Sequence, residues 1–507
     1  MRFISRFIAA LFVLVVAAAG GLFFYLQDAE RLKPDLEAFI LEQTGVAVTI
    51  GGELRWELFP PLELHMADVS AKDADIDARA GSLSLRMDLS AMWQDVNRWK
   101  ITALTLTDTT FKNDSGTTQL AELSITDFTP GEPAQLLIDG TYQAEDAPEP
   151  IPGTLNGQIT YFPATTTATE SLRLTQTTIT STDISAVCDV DAKENGKAIP
   201  DVATTPDDIL PIADLRGIDL VADCALNSLT VGTETFTDGA IKVTSMSDNL
   251  NVYVEVKDFI GGQLFTEVDV DLATQPIRWM VMPEMDNVDS QRLIDWTNRS
   301  VHWVAPLALQ GEMQMSGNTE AELMDSIRSE QDFDGGQGEI DITALKAQLS
   351  QIATLTRSSD SFAKWPDKWA YQTFTGKLLT RGKQQVLNLQ LDNLFIEGDG
   401  TYDYATDKID MLAHVTFKEA PEGSPYVVNA LLQDTPLPVR CRGAASDVSC
   451  KLDSDATQDL IAGALRSDSD TGLRRKLEEK IDEKVPEEYR DTARSLLDAI
   501  GRALNRD

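Results

Sequence analysis

Positive charge, histidine and aromatic side chains are what this 507-residue chain has least of. Lysine and arginine number 43 against 81 aspartates and glutamates, a formal net charge of −38. A phosphate backbone must be met by clustered cations, so this balance argues against nucleic acid as a partner, and anionic lipid surfaces should repel the chain as well. The acid surplus reads as solubility, or as the mark of a salty source, rather than as a site for a particular cationic partner. Only three histidines are present, His65, His302 and His414. They lie far apart, with neither ligand spacing nor a nucleophile elbow around them, and are read as core or surface residues. Gly335-Gly336-Gln337-Gly338 and Gly398-Asp399-Gly400 lack the strand-to-helix setting of a phosphate loop and read as turns or bulges. Asp189, Asp191, Asn195 and Gly196 lack the bidentate glutamate that closes a calcium loop and are assigned to a hairpin turn. The carboxylates are too scattered to single out a catalytic pair. No catalytic residue, metal or cofactor is therefore predicted, and a binding or structural role is favoured over an enzyme.

Long apolar runs are also missing, with one exception. Residues 7–26 carry no charge, and at about 1.5 Å per residue they cover the ~30 Å hydrocarbon core of a bilayer. Arg2 and Arg6 precede the run, and Asp28 and Glu30 follow it. The positive-inside rule then leaves the N-terminus cytoplasmic and exports the remainder. A cleaved signal peptide, with Ala17-Ala18-Ala19 as its small-residue site, is the alternative. Leu22-Phe23-Phe24-Tyr25-Leu26 prolongs the run beyond that site and favours an uncleaved anchor.

Cysteine is scarce but informative. Four cysteines allow three connectivities. Cys188 and Cys224 occupy apolar-phase positions of strand patterns, and Cys441 and Cys450 flank a short turn, so two local bridges are the natural pairing. An exported chain makes oxidation plausible, whereas four buried thiols would suit a cytosolic protein.

What is abundant is alternation. Val48 and Ile50, then Leu54, Trp56 and Leu58, then Leu62, Leu64 and Met66 repeat with a period of two, broken by Gly51-Gly52 and Pro60-Pro61. The glycines read as the tight turn of a β-hairpin, and the prolines as the end of its second strand. Upstream, Leu32, Leu36, Phe39 and Ile40 lie at helical spacing, with Pro34 early and Gly45 as a stop. Comparable alternation recurs through about two dozen candidate strands, among them Leu264, Thr266, Val268, Val270 and Leu272 with Glu267, Asp269 and Asp271 on the opposite face. Turn residues separate the strands, and one polar face per strand suits an antiparallel meander. Helical pattern between residues 43 and 455 is confined to 92–99, 290–303, 320–330 and 344–355. Residues 144–153 and 198–211 are acidic and proline-bearing and read as exposed loops. Beyond residue 456 come a linker, a charged helix at 473–484 and a final helix from Pro486 with an apolar stripe.

The run Thr44-Gly45, Val48, Ile50, Gly52, Trp56, Leu58-Phe59-Pro60 and Asp68-Val69 resembles the start of AsmA-family proteins, which are anchored in the inner membrane and periplasmic in Gram-negative bacteria. Gly338 to Ile342, Phe374-Thr375-Gly376-Lys377, Ile396 to Tyr402 and Leu437-Pro438-Val439-Arg440 with Gly443 are similar to the family's C-terminal region. The resemblance is faint over residues 134–223. It implies four segments: 1–27, a cytoplasmic tip and transmembrane anchor; 28–330 and 331–455, two AsmA-like β-rich regions; and 456–507, a charged linker and helical tail. It further implies an elongated, curved, mostly antiparallel sheet forming an apolar groove, along which phospholipid passes between inner and outer membranes. Floor candidates are Val48, Ile50, Leu54, Trp56, Leu58, Leu62, Leu64 and Met66 near the membrane, each of which could equally be core beneath the upstream helix, and Val268 and Val270 further on. Partners would be phospholipids, the inner membrane and outer-membrane or periplasmic proteins reached through the C-terminal helices. The alternatives are an assembly factor for outer-membrane proteins and, further off, an anchored periplasmic hydrolase.

Overall fold

In the computed structural model the residues described are 33–44, 47–57, 62–72, 77–88, 100–113, 116–144, 149–197 without 167, 205–297 without 206, 299, 301–350 without 344 and 348, and 362–453 without 423, 429–432 and 446. The predicted anchor at 7–26, the helix predicted at 92–99, Leu58 and the tail helices lie outside them. Among the described residues no helix is long and apolar enough to cross a membrane. The chain is mainly β, with long antiparallel pairing, few helices and no closed barrel. It divides into two compact units, one from Met1–Phe259, Gln263–Val281 and Ser316–Leu323, the other from Ile260–Gly262, Met282–Met315 and Met324–Asp507.

The first unit opens with helix α1 (Lys33–Thr44) and strands β1 (Ala47–Ile50), β2 (Leu54–Glu57), β3 (Leu62–Lys72), β4 (Asp77–Asp88), β5 (Lys100–Asn113) and β6 (Gly116–Phe128). β7 (Ala134–Ala144), β8 (Ile151–Phe162), β9 (Ser171–Ser181) and β10 (Ile184–Glu194) follow. A short helix, α2 (Ile212–Arg216), precedes β11 (Ile218–Val231), β12 (Glu234–Met246), β13 (Asn249–Phe259) and β14 (Gly262–Asp271). From β3 to β13 each strand pairs antiparallel with the next in sequence. Most of the connections are short, which makes sequential pairing the cheapest closure in chain entropy, and alternation of apolar with Thr, Ser and charged residues gives the strands a predominantly apolar and a predominantly polar face.

The opening is not a hairpin. β1 and β2 do not pair with each other; both pair with β3, in line, Ile50 opposite Val69 and Leu54 opposite Met66. Gly51 and Gly52 carry the strand across the break, donating their amides to the carbonyls of Asp68 and Ala67 at 2.8 and 3.0 Å. A Cβ at Gly52 would stand 2.6 Å from the Ala67 carbonyl oxygen, so the pair marks close backbone approach rather than a turn.

Irregular positions line up across neighbouring strands. Asp68 of β3, Gly81 of β4 and Asp108 of β5 are skipped in the pairing, with the register unchanged on either side of them. Asp68 and Asp108 take φ of 50°, a left-handed conformation that aspartate tolerates better than most residues. A second line joins Gly157, Gln176 and Asp189, with the Gln176 amide donating 2.7 Å to Asp189 Oδ1. A third joins Asn227 and Asp238. Where the register shifts at these positions, between β8 and β9, β9 and β10, and β10 and β11, a bulge adds a residue on one strand and increases its local twist.

The second unit takes up β15 (Arg278–Asp289) part-way, then α3 (Ser290–Trp296), β16 (Trp303–Val304) and β17 (Pro306–Ser316). After α4 (Glu320–Ser326) come β18 (Arg328–Asp334), β19 (Gly338–Asp341), β20 (Lys368–Tyr371), β21 (Phe374–Arg381), β22 (Gln384–Leu391), β23 (Leu394–Asp403), β24 (Lys408–Phe417), β25 (Leu437–Ala444) and β26 (Asp447–Leu452). β17, β18 and β21 to β26 pair in that order, all antiparallel, and β16, β19 and β20 make a small sheet of their own. The predicted helix at 290–303 stops at Trp296, where the Thr297 hydroxyl bonds back to the carbonyls of Leu293 and Ile294, and Trp303 is a strand residue. The one predicted at 320–330 stops at Ser326, since alternation from Arg328 onward belongs to β18. Of the one predicted at 344–355, the described residues 343, 345–347, 349 and 350 are helical.

Candidate functional site: the apolar face of the sheet

In the first unit the register assembles one continuous apolar face. Leu104 of β5 opposes Ile125 of β6, Ile125 opposes Leu136 of β7, Ile138 opposes Leu155 of β8, and Leu155 opposes Ile179 of β9. Ala186, Cys188 and Val190 carry the face through β10 to Leu226, Cys224 and Ala222 of β11, then to Gly239, Ile241 and Val243 of β12 and Val256, Val254 and Val252 of β13. Neighbours on the other face are polar: Ser82 and Thr107 share a 2.8 Å hydrogen bond, and Arg173 grips Asp191 at 2.7 Å.

What covers this face differs along its length. At the start α1 lies over it. Leu36 and Ile40 pack with Ile50, Leu54, Leu62, Leu64 and Met66, and Glu37 accepts the Ile50 amide at 2.7 Å. Five of the predicted floor residues, Ile50, Leu54, Leu62, Leu64 and Met66, are thus sealed core at 1–4% exposure, and Val48 packs at their margin. Leu58 and the side chain of Trp56 lie outside the described residues. From β6 to β9 no described helix lies over the face; Phe128, Ala134, Leu136 and Ile159 are buried, while Leu123, Ile125, Ile138, Leu155, Leu172 and Leu174 beside them are only half-buried. At the rim of this stretch Tyr142 and Ile151, directly opposed, are 42% and 47% exposed.

Further on the face is covered again. The connection from β10 to β11, expected to be an exposed loop at 198–211, is irregular and mostly exposed over its described residues 205 and 207–211, but Leu210 and the α2 that follows it pass over β12, β13 and β14. Leu210, Ile212 and Leu215 pack against Leu250, Val270, Leu272 and Ile277, with Val243, Val252, Val268 and Trp279 around them. Val270 is fully buried there and Val268 partly. The segment is pinned at both ends. Asn318 accepts the Leu210 amide through Oδ1 at 3.0 Å and donates Nδ2 to the Leu210 carbonyl at 2.9 Å. Lys197 and Arg216 converge on Asp248 at 3.1 and 3.0 Å, and the hydrogen bonds from Lys197 first and Arg216 second hold its carboxyl below the usual carboxylate range. Sequence reading missed this element. Its one signal is Leu210, Ile212 and Leu215 inside an otherwise polar connection.

The second unit repeats the arrangement. One end of its sheet is capped by the small sheet and an aromatic core in which Trp365 meets Phe362, Trp369, Phe417 and Tyr426 edge-on, at centroid distances of 5.0–5.9 Å. Beyond it the same face continues through Leu378 opposite Leu387, Leu387 opposite Gly398, and Gly398 opposite Ala413, with Leu378 37% exposed. Both disulfides form as paired from sequence, Cys188 with Cys224 and Cys441 with Cys450, and each joins directly opposed residues of adjacent strands. Cys188 shares the apolar face with Ala186 and Leu226, and Cys441 lies beside Met411 on the continuing face.

The polar groups set apart in the sequence stay dispersed. His65 and His414 lie on polar faces of β3 and β24, and His302 meets Lys368 at 2.9 Å and Glu339 at 3.5 Å at the surface. Asp189 and Asp191 belong to β10, and the chain leaves that strand into the long covering connection rather than a hairpin turn. Among the described residues no group of His, Cys, Asp or Glu is arranged to hold a metal. Neither protein-family models nor curated proteins give a match to this chain.

Proposed function

We propose that this protein is an AsmA-like carrier, anchored in the inner membrane by residues 7–26, whose periplasmic sheet curves into a groove that conducts phospholipid toward the outer membrane. The observation that carries this reading is the stretch of apolar face on β6 to β9 where, beside the buried Leu136 and Ile159, Leu123, Ile125, Ile138, Leu155, Leu172 and Leu174 stay half-exposed with no described helix over them. A sheet face meant only as core is closed by a second layer, as Leu36 and Ile40 of α1 help to close the face at β1 to β3. Acyl chains would supply that layer, each methylene kept from water contributing about 0.8 kcal/mol, with head groups left in solvent. Transfer is then passive partition, with no catalytic residue. The two disulfides fit an oxidising compartment, and each ties neighbouring strands on the face itself.

Mass spectrometry of molecules held by the detergent-extracted protein tests this directly. Phospholipid in stoichiometric amount is expected. Barrel-protein precursors in its place would favour the assembly-factor alternative, and an empty protein would remove the carrier.

A further inference from the structure

We propose that residues 207–217 form a gate on the acyl path, a regulation that rests on the carrier reading. The apolar face would be continuous from β6 to β14 but for this segment, which sets Leu210, Ile212 and Leu215 where lipid chains would otherwise lie on Leu250, Val270, Leu272 and Ile277. Its construction is that of a removable part. α2 has five residues and none of them is fully buried, and a single helical turn does not persist without its seat. The clamps holding it are polar and lie at its two ends: the two Asn318 side-chain bonds to Leu210, reinforced by the Ile209 amide donating 2.7 Å to the Asn318 carbonyl, and, at the other end, the Arg216–Asp248 pair with Asn195 donating Nδ2 to the Arg216 carbonyl at 2.9 Å and its amide to the Gly217 carbonyl at 3.2 Å.

Asn318 is itself fixed against the seat. The neighbouring Gly317 donates its amide to Ile277 at 3.0 Å and accepts Trp279 Nε1 at 2.9 Å, so the clamp belongs to the floor and the segment is what can leave. An acyl chain of ~16 methylenes carries somewhat more apolar area than the three aliphatic side chains, so it can replace them on the same surface. When the segment lifts, its polar ends exchange protein partners for water, while Leu250, Val270 and Leu272 pass from one apolar cover to another.

The test uses the full-length protein in detergent and an acyl-labelled phosphatidylcholine supplied from vesicles of unlabelled phosphatidylcholine. Two readouts are followed, the rate of label uptake and amide hydrogen exchange over residues 209–217. Asn318→Ala, which removes both side-chain clamps, should speed uptake about tenfold by weakening the closed state. Asp248→Asn, a change at the other end on the surface, should act in the same direction and decides the matter if Asn318→Ala does not fold. In the wild type, lipid should raise exchange at 209–217 while leaving β4 and β5 protected. Uptake with unchanged rates in the variants and unchanged exchange would overturn the gate and leave the carrier standing. No uptake by any form would overturn the carrier, and the gate with it.

Discussion

Aspartate does structural work here that its charge alone does not reveal. Eight of the twelve described non-glycine residues with positive φ are aspartates: Asp68, Asp108, Asp127, Asp238, Asp248, Asp392, Asp407 and Asp434. A short side chain that accepts hydrogen bonds from nearby amides suits these bulges and turns, so part of the acid surplus is backbone geometry rather than surface charge. Asp392 shows how much one carboxylate can hold. Its Oδ1 accepts the amides of Gln372 and Thr373 at 2.9 and 3.0 Å, and its Oδ2 accepts Trp369 Nε1 at 3.2 Å. Asp392→Ala should destabilise the second unit by about 2–4 kcal/mol, measured by urea unfolding followed through tryptophan fluorescence. Asp410 tests the ionic component. Its carboxyl is held below the ordinary range by Arg440 first and Arg442 second, at 2.6 and 3.2 Å. A folded-state value lowered in this way contributes stability that is fully present above the unfolded value of about 3.9 and is lost as pH falls through the folded one. The drop in urea midpoint between about pH 6 and about pH 3 should therefore be smaller in Asp410→Asn than in the wild type. An unchanged drop would show that the pair adds nothing, as many exposed pairs do.

At the scale of elements, strand existence is legible in the sequence and strand connection less so. Alternation locates the strands because a one-residue step changes face, and the apolar phase of Cys188 and Cys224 locates their bridge. The opening reads as a hairpin, wrongly, because two adjacent glycines signal a positive-φ turn and a close-approach break equally well. Only the partner strand decides, and it lies ten or more residues downstream. The covering segment reads as a loop because its Pro and Asp content describes its solvent side, whereas three spaced aliphatic residues carry its packing. The bridges have their own test. Loop-closure entropy assigns about 4 kcal/mol to a separation of 36 residues and about 3 to one of 9. The paired Cys→Ser change at 188 and 224 should therefore lower thermal stability more than the pair at 441 and 450. The reverse order, read by calorimetry, would mean that β26 depends on its bridge for pairing and not merely for loop closure.

Across the whole molecule, one design recurs in both units: a sheet capped by other elements at one place, with its apolar face continuing where no described helix lies over it. Alone, such a face would cost solubility, a cost that a net charge of −38 opposes through self-repulsion. Lipid carriage explains both features together, and alternation supplies its sharpest test. On β7 and β8, Ile138 and Leu155 point to the apolar face, while Asp139 and Asn156, one residue away, are exposed on the other. These positions serve better than Val268 and Val270, which lie beneath or beside α2. A photo-crosslinking residue placed in turn at 138, 139, 155 and 156 of the full-length protein in living cells should capture phospholipid at 138 and 155 and not at 139 or 156. Equal capture on both faces, or none on either in a protein that remains folded, would contradict the account.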